Sequence, residues 1–189
     1  MTDAPLELYP WQKIDVENLL FWDCTGLIAV ETGGSKTVLS VEAVHRAGHA
    51  TNGAVLVIAP KSTFSDAWVR TVKRQTGEDI RIINSKKAGK EAEADLRANV
   101  PGWYLINHEL FTRRRWEGVA PEVCITDECH RLSNFRLWFK KSSGAHRLIY
   151  FKAKRRIAMS ATPYRNNFAN LWTVLRWVYP EITDSPPRS

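Results

Sequence analysis

Long apolar runs are missing from this chain. No stretch approaches the about 18–20 residues that a membrane-crossing helix needs, and the opening MTDAPLELYP lacks the basic-then-apolar pattern of a secretion signal. A cytoplasmic protein without a membrane partner is expected. Cysteine is scarce: Cys24, Cys124 and Cys129 form an odd set with no CxxC pair, which excludes a secreted disulfide framework and points to reduced thiols. Repeats and low-complexity blocks are also lacking, so neither a solenoid nor a biased tail is expected. What is present is ordinary for a globular protein, with 189 residues, 44% apolar and 25% charged. That length suits one domain with a substantial core. Lys and Arg number 27 against 20 Asp and Glu, a net charge of +7 that favours a polyanionic partner without identifying it. Eight Trp and five Tyr could stack on nucleic-acid bases, but Trp more often supplies core area.

Organisation comes from alternating strand and helix signals. Residues 11–24 lack Gly and Pro and read as a helix with Pro10 near its start, followed by the short apolar run 27–30. A helix over 36–47 places Val38, Val41, Val44 and Ala47 on one face and stops at Gly48. The run 54–58 is apolar without alternation, as a strand buried on both faces requires. Helices near 63–75 and 87–98 and strands at 80–83, 103–106, 123–126 and 157–159 continue the pattern. A last helix over 166–178 carries Phe168, Leu171, Trp172, Leu175 and Val178 as its predicted core stripe. The alternation predicts an α/β fold with a mostly parallel sheet covered by helices on both faces, and ligands outside the carboxyl ends of the strands.

Three segments carry chemistry. The first is Glu31-Thr32-Gly33-Gly34-Ser35-Lys36-Thr37, between an apolar run and a helix. Glycines there let backbone N–H groups turn toward a phosphate, a Lys reaches the outer phosphates, and a Thr hydroxyl can ligate Mg²⁺. Ser35 stands where the usual pattern has Gly, and its Cβ resists the required backbone angles. The plainer alternative is a Gly-rich turn that only caps the helix. The second segment, Val123-Cys124-Ile125-Thr126-Asp127-Glu128-Cys129-His130, is an apolar strand ending in two carboxylates. At the carboxyl edge of a parallel sheet, Asp127 could hold Mg²⁺ and Glu128 could orient or deprotonate an attacking water. A zinc site built from Cys124, Cys129 and His130 is the rival, but it lacks CxxC-like pairing and a fourth ligand. The third is Met159-Ser160-Ala161-Thr162-Pro163, directly after an apolar strand.

Taken in order, these segments make the chain resemble the first RecA-like lobe of a superfamily 2 helicase, most closely the Swi/Snf-type DNA translocases, from Leu8 to about Glu181. Leu8-Tyr9-Pro10-Trp11-Gln12 resembles that family's adenine-recognition motif, which makes Gln12 the implied adenine contact. Residues 31–37 resemble its Walker A loop; Val57-Ile58-Ala59-Pro60-Lys61-Ser62, followed by Trp68, resembles its next motif, with contacts toward the nucleic-acid backbone. Asp127-Glu128-Cys129-His130 with Arg131, Leu132, Ser133 and Asn134 resembles the DEAH box, and residues 156–163 with Asn166, Asn167, Leu171, Trp172 and Pro180-Glu181 resemble the segment that favours this branch over DEAD-box RNA helicases.

The resemblance implies an ATP- and Mg²⁺-dependent DNA translocase lobe spanning 1–182, with 183–189 beginning a linker. It implies that Gly33, Gly34, Ser35, Lys36 and Thr37 cradle the nucleotide, Lys36 on the β/γ phosphates and Thr37 with Asp127 on magnesium. Glu128 would activate water, and His130, Ser160 and Thr162 would couple nucleotide state to DNA contacts. It also implies a second RecA-like lobe, from another chain or missing from this one. An arginine from such a lobe is worth about 10³–10⁵ in rate, so the chain alone is expected to hydrolyse ATP very slowly. A non-catalytic DNA-binding module of the same fold, its nucleotide affinity weakened by Ser35, remains the alternative. A metabolic P-loop kinase would not explain the DECH box and the Ser-Ala-Thr segment together.

Among the basic clusters, Arg113, Arg114 and Arg115 follow the predicted strand and turn at 103–111, where such lobes contact one DNA strand's backbone. The cluster Lys152, Lys154, Arg155 and Arg156 reads equally as the flank of a buried strand. Phosphate contacts of this kind make DNA affinity fall steeply with salt, measurable by titrating duplex DNA at low and high ionic strength. Binding that is the same at both would rule the contacts out.

Overall fold

The structure, a computed structural model, describes residues 4–31, 35–163 and 168–181. Its centre is a six-stranded sheet in the order β1-β6-β5-β2-β4-β3. The strands are β1 (Gly26–Ile28), β2 (Ala54–Ala59), β3 (Ile80–Ile82), β4 (Gly102–Asn107), β5 (Val123–Asp127) and β6 (Arg155–Met159). All of the pairings are parallel. Parallel neighbours need long crossovers, and the intervening segments supply helices that cover both faces.

Strand β2 shows why this arrangement is stable. Its six residues are all buried, and because successive side chains point to opposite faces they feed two cores. Val55, Val57 and Ala59 join Val16, Leu39, Val41, Val44, Trp68 and Val72 on one side. Ala54, Leu56 and Ile58 join Ile83, Leu96, Ile106, Phe111, Leu148 and Trp177 on the other. The first layer is built by α1 (Pro10–Phe21), α2 (Lys36–Arg46), the short α3 (His49–Asn52) and α4 (Arg70–Thr76). The second is built by α5 (Lys87–Arg97), α6 (His108–Arg113), α7 (Gly144–Tyr150) and α8 (Ala169–Val178). Gly48 ends α2 in the left-handed region at φ 70°, with its N–H on the His45 carbonyl.

Several expectations need correction. The helix near 63–75 is three windings: a 3-10 turn Lys61–Thr63, a π-helical turn Phe64–Val69, and then α4. The segment after β4 turns at once into α6, and α7 occupies a stretch with no helix predicted. Of the stripe expected on α8, Val178 is buried as predicted, but the rest of the core face is Thr173, Val174 and Trp177, whereas Leu171, Trp172 and Leu175 are half-buried and Phe168 is exposed. Trp172 instead packs edge-on against Phe135 and Trp138, so the second side of the helix meets the segment after β5. Trp68, Trp103 and Trp177 are fully buried, the core use of tryptophan. In the basic cluster before β6, Arg155 pairs with Glu122 and Asp23, Lys154 pairs with Glu122, and Arg156 donates to the Trp177 carbonyl, so these cations pin the strand. Asn166 and Asn167 lie outside the described residues.

Leu56 sits fully buried on the central strand. Replacing it with Ala is expected to destabilise the fold by about 2–5 kcal/mol, read as a lowered urea midpoint with little change in slope.

Candidate nucleotide and nucleic-acid sites

Because every strand runs the same way, the segments with chemistry emerge along one edge. Strand β1 leads into the 31–37 loop, β2 to Lys61, β4 to His108, β5 to Asp127 and Glu128, and β6 to Ser160. Ligands of open α/β sheets bind outside this carboxyl edge. The Ser160 N–H donates to the Ile28 carbonyl at 3.1 Å, holding the exits of β6 and β1 together.

In the loop, Gly33 and Gly34 lie outside the described residues, but its end is defined. Ser35 precedes α2 with φ 55° and ψ 32°, a left-handed conformation that costs a non-glycine residue about 1–2 kcal/mol. The chain therefore takes a glycine-type backbone without the glycine. Lys36 turns its ammonium back into the loop and donates to the carbonyls of Val30 and Glu31 at 2.8 and 3.1 Å. Thr37 is half-buried in the first turn of α2. Gln12 is buried near the start of α1, and its side-chain oxygen accepts from the Tyr9 N–H at 2.8 Å. That bond is a helix-capping contact, so half of the Gln12 amide already has a structural partner.

Asp127 ends β5 in the interior, only 6% exposed. Its Oδ2 accepts from the indole Nε1 of Trp68 at 3.1 Å. Burial pushes its carboxyl upward from the ordinary value; the Trp68 hydrogen bond opposes this, the Glu128 charge adds to it, and the Lys36 ammonium lies close enough to counter it. The next residue, Glu128, is left-handed at φ 49°, strain of the kind that collects at functional sites. Its Oε2 lies 3.1 Å from His130 Nδ1, and the same nitrogen lies 2.9 Å from Ser160 Oγ. Ser160 Oγ in turn accepts from the Thr162 N–H at 3.1 Å. The predicted coupling trio is thus one connected network touching Glu128. A carboxylate at Asp127 within electrostatic range of Lys36, and a hydroxyl at Thr37 in the first turn of α2, are the oxygen donor types that a hard cation on a polyphosphate takes, so the donor chemistry fits Mg²⁺ and a nucleotide.

Farther along the edge, Lys61 is exposed at the exit of β2. A cavity of about 760 Å³ is lined by His108, Glu109, Thr112, Arg113, His130 and Arg131, among others. Of the predicted arginine cluster, Arg113 lines it; Arg114 is held by Glu93 on α5 at 3.3 Å, and Arg115 is exposed outside the cavity wall. His108 is buried, with Nε2 2.8 Å from the Asp127 backbone carbonyl. Burial pushes its pKa down to about 4, so the ring is neutral; a carbonyl only accepts, so Nε2 carries the hydrogen.

Residues 19–188 match the family described as SNF2-related domain. The chain belongs to that family. Relatives of this SNF2-related domain include the ISWI chromatin-remodeling complex ATPase ISW1 of Saccharomyces cerevisiae, 28% identical over 83% of the chain and 14% of the relative. The helicase SWR1 of Yarrowia lipolytica is 27% identical over 84% of the chain and 9% of its own length. The Sulfolobus solfataricus SWI2/SNF2 ATPase core, solved in complex with dsDNA, superposes with a TM-score of 0.77 at 20% identity, over 96% of this chain and 38% of that one. The chain therefore has the fold of a RecA-like ATPase lobe and spans a small part of its curated relatives. Membership of this family implies nucleotide binding with a divalent metal.

Two residues of the SNF2-related domain escaped the sequence reading. Trp68 was expected to accompany a motif facing the nucleic-acid backbone, but it is fully buried and turned onto Asp127. The π-helical turn that carries it has a wider winding, a feature recurrent at functional sites and invisible to a 3.6-residue count. His108 carried no motif, yet its place directly after β4 at the carboxyl edge was a usable signal.

The strained Ser35 yields a direct test. Ser35→Gly is expected to raise unfolding free energy by about 1 kcal/mol, because glycine takes this backbone without the Cβ penalty. Urea titration of both proteins measures it, and a destabilised variant would refute the strained geometry.

Proposed function

We propose that the chain is the ATP-binding lobe of a DNA-dependent ATPase of Swi/Snf type, which hydrolyses ATP to move on duplex DNA when paired with a second RecA-like lobe. The observation that carries the reading is the carboxyl edge of the sheet on which Glu128, His130 and Ser160 share one hydrogen-bonded network directly after Asp127, whose carboxylate is held by Trp68. Within residues 1–182, Gln12 would take the adenine, and Gly33, Gly34, Ser35 and Thr37 would surround the phosphates. Lys36 would release its two loop carbonyls and transfer its charge to the β/γ phosphates. Thr37 and Asp127 would hold the magnesium, with Trp68 fixing one Asp127 oxygen so that the other faces the cation. Glu128 would orient the attacking water and take its proton. When bound, Mg·ATP supplies the scissile phosphoanhydride and the charge neutralisation that in-line transfer requires.

His130, Ser160 and Thr162 would report nucleotide state toward Lys61 and the Arg113 side of the edge, where backbone phosphates would lie; Arg114 and Arg115 would add field outside the cavity. The second lobe, from another chain or a longer form of this one, would supply the arginine that completes the site. Support for it is that the chain covers 38% of the solved SWI2/SNF2 core. The alternative of a non-catalytic module draws on Ser35, but the serine holds the left-handed angle that the loop needs, which favours the nucleotide-binding reading. The buried thiols fit a reducing compartment such as the cytoplasm, and no described helix is long and apolar enough to cross a membrane.

Calorimetry of Mg·ATP with the wild-type chain and with Lys36→Ala tests the proposal. Binding to the wild type that is lost in the variant is the expected result; an equal heat signal from both would refute a phosphate-binding role for Lys36.

A further inference from the structure

His108 joins the two halves of this edge in a way that no motif assigns. It begins α6 at the exit of β4, is 4% exposed, and lines the 760 Å³ cavity while its Nε2 holds the Asp127 carbonyl at 2.8 Å. That carbonyl belongs to the peptide leading into Glu128, whose backbone is held at φ 49°. A left-handed glutamate persists only where its surroundings fix it. His108 fixes the peptide before it, and His130 fixes its side chain at 3.1 Å. Both imidazoles line the same cavity.

A second observation points to a ligand. While Nε2 is held by the Asp127 carbonyl, Nδ1 of His108 is buried without a hydrogen-bond partner. The guanidinium-bearing side chains of Arg113 and Arg131 line this cavity against the single carboxylate of Glu109. Two guanidiniums suit a phosphate diester.

We propose that His108 is the positioning residue through which a DNA backbone phosphate in this cavity sets the Asp127–Glu128 turn. Phosphate drawn to Arg113 and Arg131 acts on the wall that His108 forms, and the ring transmits the shift to the Asp127 carbonyl. DNA would thereby alter the geometry of Glu128 without touching the nucleotide. The proposal rests on the ATPase reading above.

The test is linkage rather than turnover, so no second lobe is needed. Mg·ATP affinity of the full chain is measured by calorimetry with and without a saturating DNA duplex, for wild type, His108→Phe and His108→Gln. Coupling between sites typically changes affinity about 5–150-fold and is reciprocal. The wild type is expected to show such a change. His108→Gln, whose amide nitrogen can stand near the place of Nε2, is expected to keep it. His108→Phe is expected still to bind both ligands, with its own affinity for Mg·ATP alone, and with the coupling between the two reduced to less than about twofold. A merely structural residue would instead lower the affinity equally with and without DNA and leave their ratio at the wild-type value, which overturns the proposal. Coupling that survives in His108→Phe overturns the proposal, as does a wild type that binds both ligands independently; in either case the ATPase reading stands. A wild type that does not bind Mg·ATP overturns that reading and this proposal with it. Where His108→Phe does not fold, His108→Asn takes its place with the same expectation, because its shorter amide falls short of the Asp127 carbonyl.

Discussion

A carboxylate carried into a protein interior must find donors, and Asp127 sets that condition at the end of the central strand β5. Little water reaches it, so the surrounding chain takes its place: an indole N–H reaches one side-chain oxygen and a lysine charge lies within range, while an imidazole takes up the backbone carbonyl of the same residue. Each donor arrives from a different crossover, Trp68 after β2, His108 after β4 and Lys36 after β1. The parallel sheet makes this convergence possible by delivering every strand exit to the same edge. Strand order, the π-helical turn and the burial of His108 all meet at this one residue.

The fold was largely legible because the signals that build it are local. Apolar runs such as Ala54–Ala59 can be buried only on both faces of a sheet, and the 3.6-residue stripe of α2 has one packing solution. The expected stripe on α8 failed for a definite reason: the helix has two apolar sides, one against the sheet and one against Phe135 and Trp138, and periodicity does not rank them. At the candidate site the motif residues could be named, but their partners could not. That Arg114 turns to Glu93 while Arg113 faces the cavity, or that Trp68 points inward, depends on tertiary placement that adjacent residues do not encode.

Left-handed backbone recurs at both edges of the sheet. Ser35 and Glu128 both occupy left-handed backbone at the carboxyl edge, Ser35 before α2 and Glu128 directly after β5. Other left-handed residues, Asp23, Cys24 and Asn99, lie at turns on the opposite side of the strands and end helices there. The same backbone angle thus does two jobs in one chain, closing helices at one edge and shaping the start of α2 and the Asp127–Glu128 turn at the other.

The three cysteines carry a practical consequence. All are buried, and burial pushes the thiols of Cys24 and Cys129 up to about 12 and that of Cys124 higher still, so almost none is thiolate at neutral pH. Maleimide or iodoacetamide reagents attack the thiolate, so the folded chain presents no competitive native target. A single cysteine placed on an exposed helix will take a fluorophore selectively with the native thiols left in place, which makes distance measurements across this edge feasible in an otherwise unaltered protein.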